Sequence, residues 1–202
     1  MGSVLIAATY FGIGKMTGGG PLACSFDLDV NLRKRYPGLD LGNDHVGLHI
    51  GMMQLALSIT PTTTFWGFCH LVFSQLHRRL SDGEHFLYHT ANRVFDWGNE
   101  EYTARVARNH GHANDLNFSN IGPYPFPPEY GADTRVTRCY CVGSRWCPFF
   151  GGYVFLIHSL TELNYSFVYE VGNEVTATKL FAEITKLVEC AATLPDDFAP
   201  LL

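Results

Sequence analysis

The chain has 202 residues, 47% of them hydrophobic and 16% charged, with a formal net charge of −5. This length supports one or two domains with a substantial core, and the composition argues against a disordered tail or a coiled coil. The 14 Lys and Arg are outnumbered by 19 Asp and Glu, so no basic field runs over the chain and a nucleic-acid partner is not expected.

Met1 to Gly14 is apolar, but Lys15 follows the run instead of preceding it, the wrong order for a secretory signal. Gly2 lacks the hydroxyl residue that myristoylation needs at position 6, which is Ile6. No apolar stretch persists to about 18 residues, so no membrane span is expected. The six cysteines read as reduced thiols in a cytoplasmic setting. Gly12-Ile13-Gly14-Lys15-Met16-Thr17-Gly18-Gly19-Gly20 lacks the spacing of a phosphate loop and reads as a flexible linker.

Leu22 to Arg33 alternates apolar Leu22, Cys24, Phe26, Leu28, Val30 and Leu32 with polar or small residues, the period of a half-buried strand. His45 to Leu57 alternates more weakly and is a second strand. Thr60 to Thr64 offers N-cap residues, and Phe65, Phe68, Cys69, Val72, Leu76 and Leu80 follow at helical spacing until Asp82-Gly83. A short helix is expected over Tyr102 to His110. Asn114 to Pro128 is expected to be largely loop, apart from Leu116 to Phe118. Strands are expected over Thr134 to Val142, Tyr153 to Ser159 and Leu163 to Glu170. The closing helix presents Ala177, Leu180, Phe181, Ile184, Leu187, Val188 and Ala191 on one face. The tail from Pro195 reads as frayed or loosely docked. The sum is a mixed α/β chain, a mixed sheet flanked by helices.

Motif chemistry is sparse. His110 and His112 near Asp115 have suitable ligand types but no second ligand group, so a polar loop is favoured over a metal site. Cys139, Cys141 and Cys147 depart from zinc spacing and read as core thiols. No G-x-S-x-G elbow or H-E-x-x-H occurs. His158, in an apolar strand, reads as a buried core or pocket histidine before a base. An unrelated α/β enzyme using His158 or the His110/His112 pair is a third, weaker alternative.

An ordered set of segments adds to this. Asp29-Val30-Asn31-Leu32-Arg33, Leu41-Gly42-Asn43, Phe65-Trp66-Gly67-Phe68-Cys69, Phe118-Ser119-Asn120-Ile121-Gly122 and Leu163-Asn164-Tyr165-Ser166-Phe167-Val168-Tyr169 precede the closing helix. In this order they resemble the C-terminal half of the chloramphenicol-acetyltransferase-like superfamily, which includes condensation domains, alcohol acetyltransferases and fungal trichothecene-type O-acetyltransferases. The resemblance implies one lobe of that fold over 21–194, with 1–20 a crossover or linker remnant and 195–202 a tail. It implies acyl-CoA-dependent O-acyl transfer in secondary metabolism. The co-substrate would be acetyl-CoA or another acyl-CoA, with no bound cofactor, and the acceptor a small-molecule alcohol. Ser119, Asn120, His158 and Asn164 would lie toward substrate, although turn-forming roles fit Ser119 and Asn120 equally. Arg33 would make a structural ion pair, with Asp29 or Asp27 as local partner, or be surface charge.

The family's general base lies in an H-H-x-x-x-D motif, and this sequence has none. His89-Thr90 and Phe95-Asp96-Trp97-Gly98 are only partial echoes of family motifs. The alternatives are a truncated or split lobe that needs a first-lobe partner chain, or a non-catalytic interaction module or homodimer.

Overall fold

A computed structural model describes residues 2–39, 41–42, 49–87, 114–123, 127–137, 153–159, 162–169 and 172–201. The chain divides into two compact units that interleave along the sequence. The first is Met1–Ser25, Leu55–Glu84 and Tyr169–Leu202; the second is Phe26–Gln54 and His85–Val168.

Three helices dominate the first unit. The first, α1 (Gly2–Met16), lies within the stretch read as a crossover or linker remnant and runs into the Gly12–Gly20 segment read as flexible. Its residues are apolar all round, and Leu5 to Gly12 are buried without a break, the signature of a helix enclosed in a core. Gly12 is a contact point here. A Cβ at Gly12 would lie 3.2 Å from both Leu180 Cδ1 and Ile184 Cγ1. The missing side chain therefore admits α3 (Glu174–Cys190), whose buried positions Ala177, Leu180, Ile184 and Leu187 match the expected stripe.

Between them in sequence, α2 (Phe65–Ser81) starts and stops where its residues say it should. The Thr64 hydroxyl accepts from the Gly67 amide, and Asp82 caps the end before Gly83 at φ 75°. Rings of Tyr10 and Phe68 lie 5.0 Å apart, and Phe11 meets Phe65 and Phe68 at 5.9 and 6.0 Å. The Tyr10 hydroxyl donates to the Cys24 carbonyl at 2.7 Å, so the ring is buried without an orphaned hydroxyl. The tail is docked, not frayed: the Phe65 amide donates to the Phe198 carbonyl at 2.9 Å, and the Leu201 side chain sits against Gly14.

Strands β1 (Leu22–Asn31) and β2 (Ile50–Ile59) run through both units, while β3 (Leu116–Pro123), β6 (Tyr153–Ser159) and β7 (Leu163–Val168) belong to the second. The five form one sheet in the order β2-β1-β3-β6-β7. β1 and β3 are parallel, as are β3 and β6, while β6 and β7 are antiparallel. The sheet is therefore mixed, as expected for the α/β class. A small hairpin, β4 (Glu129–Tyr130) with β5 (Thr134–Arg135), stands apart from it.

Two strands depart from expectation. β2 starts at Ile50, with 43–48 outside the described residues. β3 extends to Pro123 through a stretch read as loop, because its polar residues occupy strand positions instead of ending the strand. The expected helix over Tyr102 to His110, the echoes at His89-Thr90 and Phe95 to Gly98, and most of the Thr134 to Val142 strand lie outside the described residues.

Candidate functional site

The pairing of β1 with β3 sorts the sheet into two unlike faces. Phe26 stands opposite Leu116, Asp27 opposite Asn117, and Leu28 opposite Phe118. Because side chains alternate along a strand, Phe26, Leu28, Leu116 and Phe118 share one face, and Phe26 and Phe118 meet there edge to face at 5.5 Å. The other face carries Asp27 and Asp29 on β1 and Asn117 and Ser119 on β3.

This second face is polar but not open to water. Asp27 is 3% exposed, Asn114 4% and Asn117 1%. A hydrogen-bond chain leads inward: the Gln54 amide donates to the Asn114 carbonyl oxygen, and the Asn114 amide donates to Asp27. Burial is the main influence on the Asp27 carboxyl and lifts it from 3.8 to about 7; the Asn114 hydrogen bond opposes that rise and the nearby Asp29 charge adds to it. Near neutral pH the group is therefore poised between acid and carboxylate. Burial also raises Asp29, and a hydrogen bond from Ser119 works against it.

Ser119, expected either toward substrate or in a turn, sits in β3, in register with Leu156, where it counters the rise of the Asp29 carboxyl. Asn120 is exposed, and its side-chain oxygen accepts from the Gly122 amide at 3.0 Å. That contact supports an irregularity in the β3–β6 register at Asn120/Gly122, where Gly122 takes φ 74°. Its placement fits the turn-forming alternative.

His158 occupies the register position opposite Asn164 in the β6–β7 ladder and beside Gly122 on β3. Asn164 is partly exposed and its amide donates to the Glu162 carbonyl at 3.0 Å. Backbone register thus brings Ser119, Asn120, His158 and Asn164 onto three adjacent strands. Arg33 follows β1, where its amide donates to the Asn31 side-chain oxygen at 3.0 Å. The two suggested acidic partners of Arg33 have hydrogen-bond partners elsewhere, Asp27 with Asn114 and Asp29 with Ser119.

Sequence reasoning passed over Asp27, Asn114 and Asn117 as members of a site. Their signal was an Asp-x-Asp pair at alternate positions of one strand, with Asn114 just before another and Asn117 near its start. A further polar residue, His85, is 4% exposed, and neither ring nitrogen has a hydrogen-bond partner among the described residues. Burial, then the Arg35 charge, holds its pKa below the ordinary value, so it is the neutral imidazole that the fold encloses. In the first unit, burial pushes the Cys69 thiol up to about 11, which removes it as a nucleophile. Among the described residues no group of three or more His, Cys, Asp or Glu is placed to hold a metal. His110, His112, Cys139, Cys141 and Cys147 lie outside them. No helix among the described residues is long and apolar enough to cross a membrane.

This architecture has solved counterparts. The first condensation domain of the CDA synthetase superposes with a TM-score of 0.54 at 15% identity, over 98% of this chain and 40% of that one. The epimerization domain from the third module of tyrocidine synthetase B gives 0.54 at 11%, over 96% and 43%. The structure describing condensation-domain-mediated chain release from the enacyloxin polyketide synthase gives 0.50 at 14%, over 96% and 37%. No protein-family model and no curated protein matches the chain. At these identities the likeness establishes the fold, one lobe of the chloramphenicol-acetyltransferase-like type found in condensation domains. The chain spans about two fifths of the length of these solved domains.

Proposed function

We propose that this chain acts as the second lobe of an acyltransferase of the condensation-domain type, presenting the Asp27/Asp29/Asn117/Ser119 face as one wall of the acyl-transfer site. The observation that carries this is the fold likeness to condensation and epimerization domains over 96 to 98% of the chain. In such a transfer the acceptor oxygen attacks the thioester carbonyl carbon. The carbon–sulfur bond then breaks, and the acceptor's proton passes through a base to the leaving thiolate. Hydrogen-bond donors steady the charge on the carbonyl oxygen meanwhile. This sequence supplies buried donors but no H-H-x-x-x-D base, so the base would come from a first-lobe partner. Acyl-CoA, with acetyl-CoA the simplest, is the proposed donor and a small-molecule alcohol of secondary metabolism the acceptor, in the cytoplasm.

The test is transfer of radiolabel from acetyl-CoA to a panel of hydroxylated metabolites. The chain is assayed alone and with a condensation-domain N-terminal half that carries H-H-x-x-x-D. Label in product only when both halves are present is the expected result. No transfer in either arm removes the enzymatic claim.

One observation favours a second reading, a non-catalytic module that binds a partner or a second copy. Leu71 and Phe73 on α2 are 40% and 54% exposed, and such a surface suits association. Sedimentation showing a dimer at micromolar concentration, with no transfer, would support it; a monomer at all concentrations would end the homodimer version.

A further inference from the structure

The end of β1 carries a surface that the enclosed polar face does not use. Arg33, Lys34 and Arg35 follow the strand in a turn, three consecutive cations in a chain of net charge −5. Lys34 and Arg35 are exposed, and among the described residues neither makes an ion pair. Next in sequence, the half-buried Tyr36 ring meets Phe86 at 6.0 Å and 42°, and meets His49 edge-on at 6.0 Å. Phe86 is also half-buried, and the enclosed His85 ring packs against it at 4.2 Å. The Arg35 charge is felt at His85, so the cations and the rings share one patch. Leu39, whose amide donates to the Tyr36 carbonyl, and Leu87 carry its apolar part into solvent at 53% and 61% exposure. The position also matters. β1, β3 and β6 run parallel, so their carboxyl ends at Asn31, Pro123 and Ser159 lie at one edge of the sheet. Sheets with parallel strands bind ligands beyond that edge. The Leu32 amide donates to the His49 carbonyl at 2.8 Å, which brings the start of β2 to the same edge.

We infer that this patch holds the nucleotide end of the acyl-CoA donor, with its phosphates on Lys34 and Arg35 and its adenine on the Tyr36 and Phe86 rings. Arg35 presents a planar fork of N–H groups that matches two phosphate oxygens, and Lys34 adds a mobile point charge. A flat heterocycle covers the exposed parts of two rings and takes their apolar surface out of water. A plain anion would leave the rings uncovered, and an uncharged heterocycle would leave the cations unpaired. A nucleotide answers to both. This deepens the proposed function and rests on its acyl-CoA reading: it places the nucleotide at the sheet edge where the strands bearing Asn120 and His158 end.

Calorimetry on the full chain with CoA, adenosine 3′,5′-bisphosphate, inorganic diphosphate and pantetheine tests it. CoA and the bisphosphate should bind. Pantetheine, which lacks phosphates and base, and diphosphate, which lacks the base, should each bind at least about tenfold more weakly than CoA. CoA affinity should fall as salt is raised, because the cations involved are exposed. The double variant Lys34→Ala/Arg35→Ala should lose about tenfold in CoA affinity at unchanged thermal stability, since neither side chain is buried. Tyr36→Leu should weaken CoA severalfold, and Tyr36→Phe, which keeps the ring, should bind as the wild type does. Wild-type affinity in the double variant, pantetheine or diphosphate binding as tightly as CoA, or no binding of CoA at all would overturn the inference. The radiolabel assay separates this from the reading it rests on. CoA binding that depends on Lys34 and Arg35, without transfer, removes the enzyme alone. Transfer with an unchanged KM for acetyl-CoA in the double variant removes the nucleotide site alone.

Discussion

The two units solve burial in opposite ways. In the first, Tyr10, Phe11, Phe65 and Phe68 pack as rings between helices, and the tyrosine hydroxyl is discharged onto a backbone carbonyl. In the second, the sheet keeps one apolar face around Phe26 and Phe118 and encloses Asp27, Asn114 and Asn117 on the other. Enclosing hydrocarbon stabilises at about 25 cal/mol for each Å² removed from water. Enclosing a carboxyl and two amides returns little net stability and leaves groups sensitive to pH and to the loss of a single partner. The first unit is built as support. The second holds polar groups at a stability cost, which is the pattern expected of a working surface.

The contrast has measurable consequences, and the largest belongs to the ring cluster. Phe68→Ala should destabilise the protein by about 3 to 5 kcal/mol in urea unfolding, because the cavity opens among rings with little freedom to close on it. Loss of less than about 1 kcal/mol would mean that the helical core is not tightly packed.

Asp27 comes next. Its folded pKa is raised from 3.8 to about 7, so the fold favours the neutral acid. The stability it contributes is full below pH 3.8, falls as pH rises toward 7 and is gone above that. This amounts to about 4 kcal/mol for a shift of that size. Asp27→Asn, which still accepts a hydrogen bond but cannot ionise, should flatten the decline in stability between pH 4 and 7. His85 acts in the opposite direction: its lowered pKa removes stability as pH falls below 6.5. A variant whose pH–stability curve overlays the wild type would show that Asp27 is not the titrating group.

Gly51→Ala should cost about 2 kcal/mol, because the new Cβ would lie 2.2 Å from the His85 carbonyl oxygen and 3.0 Å from Leu32 Cδ2. The smallest effect is on a helix end: Thr64→Ala removes the acceptor for the Gly67 amide and should lower stability by about 1 kcal/mol. Differential unfolding monitored by tryptophan fluorescence would detect both.

Much of the first unit was legible because its signals are local. Thr64 and the Asp82-Gly83 pair bracket α2, and the apolar stripe of α3 needs only its own sequence to be seen. The mixed α/β class also held, and the solved structures share this fold. What escaped notice depended on distant neighbours. The glycines of α1 read as linker punctuation, whereas Gly12 is small because Leu180 and Ile184 come from far along the chain to meet it. In β1 the alternation was visible, and it placed Asp27 on the outward side. That side is enclosed, and nothing local to residues 22–33 reveals it. Asn114 looked like a loop residue because its partners, Gln54 and Asp27, are about sixty and ninety positions away.

The claim on which the functional account stands is that the second unit holds an enclosed polar face, with a carboxyl poised between its acid and its carboxylate near neutrality. A ¹³C titration of the Asp27 side-chain carboxyl in the intact chain tests it directly. The account predicts a midpoint near pH 7 that shifts further when Asn114 is replaced by Ala. A midpoint near 4, unmoved by that replacement, would place Asp27 in water and contradict it.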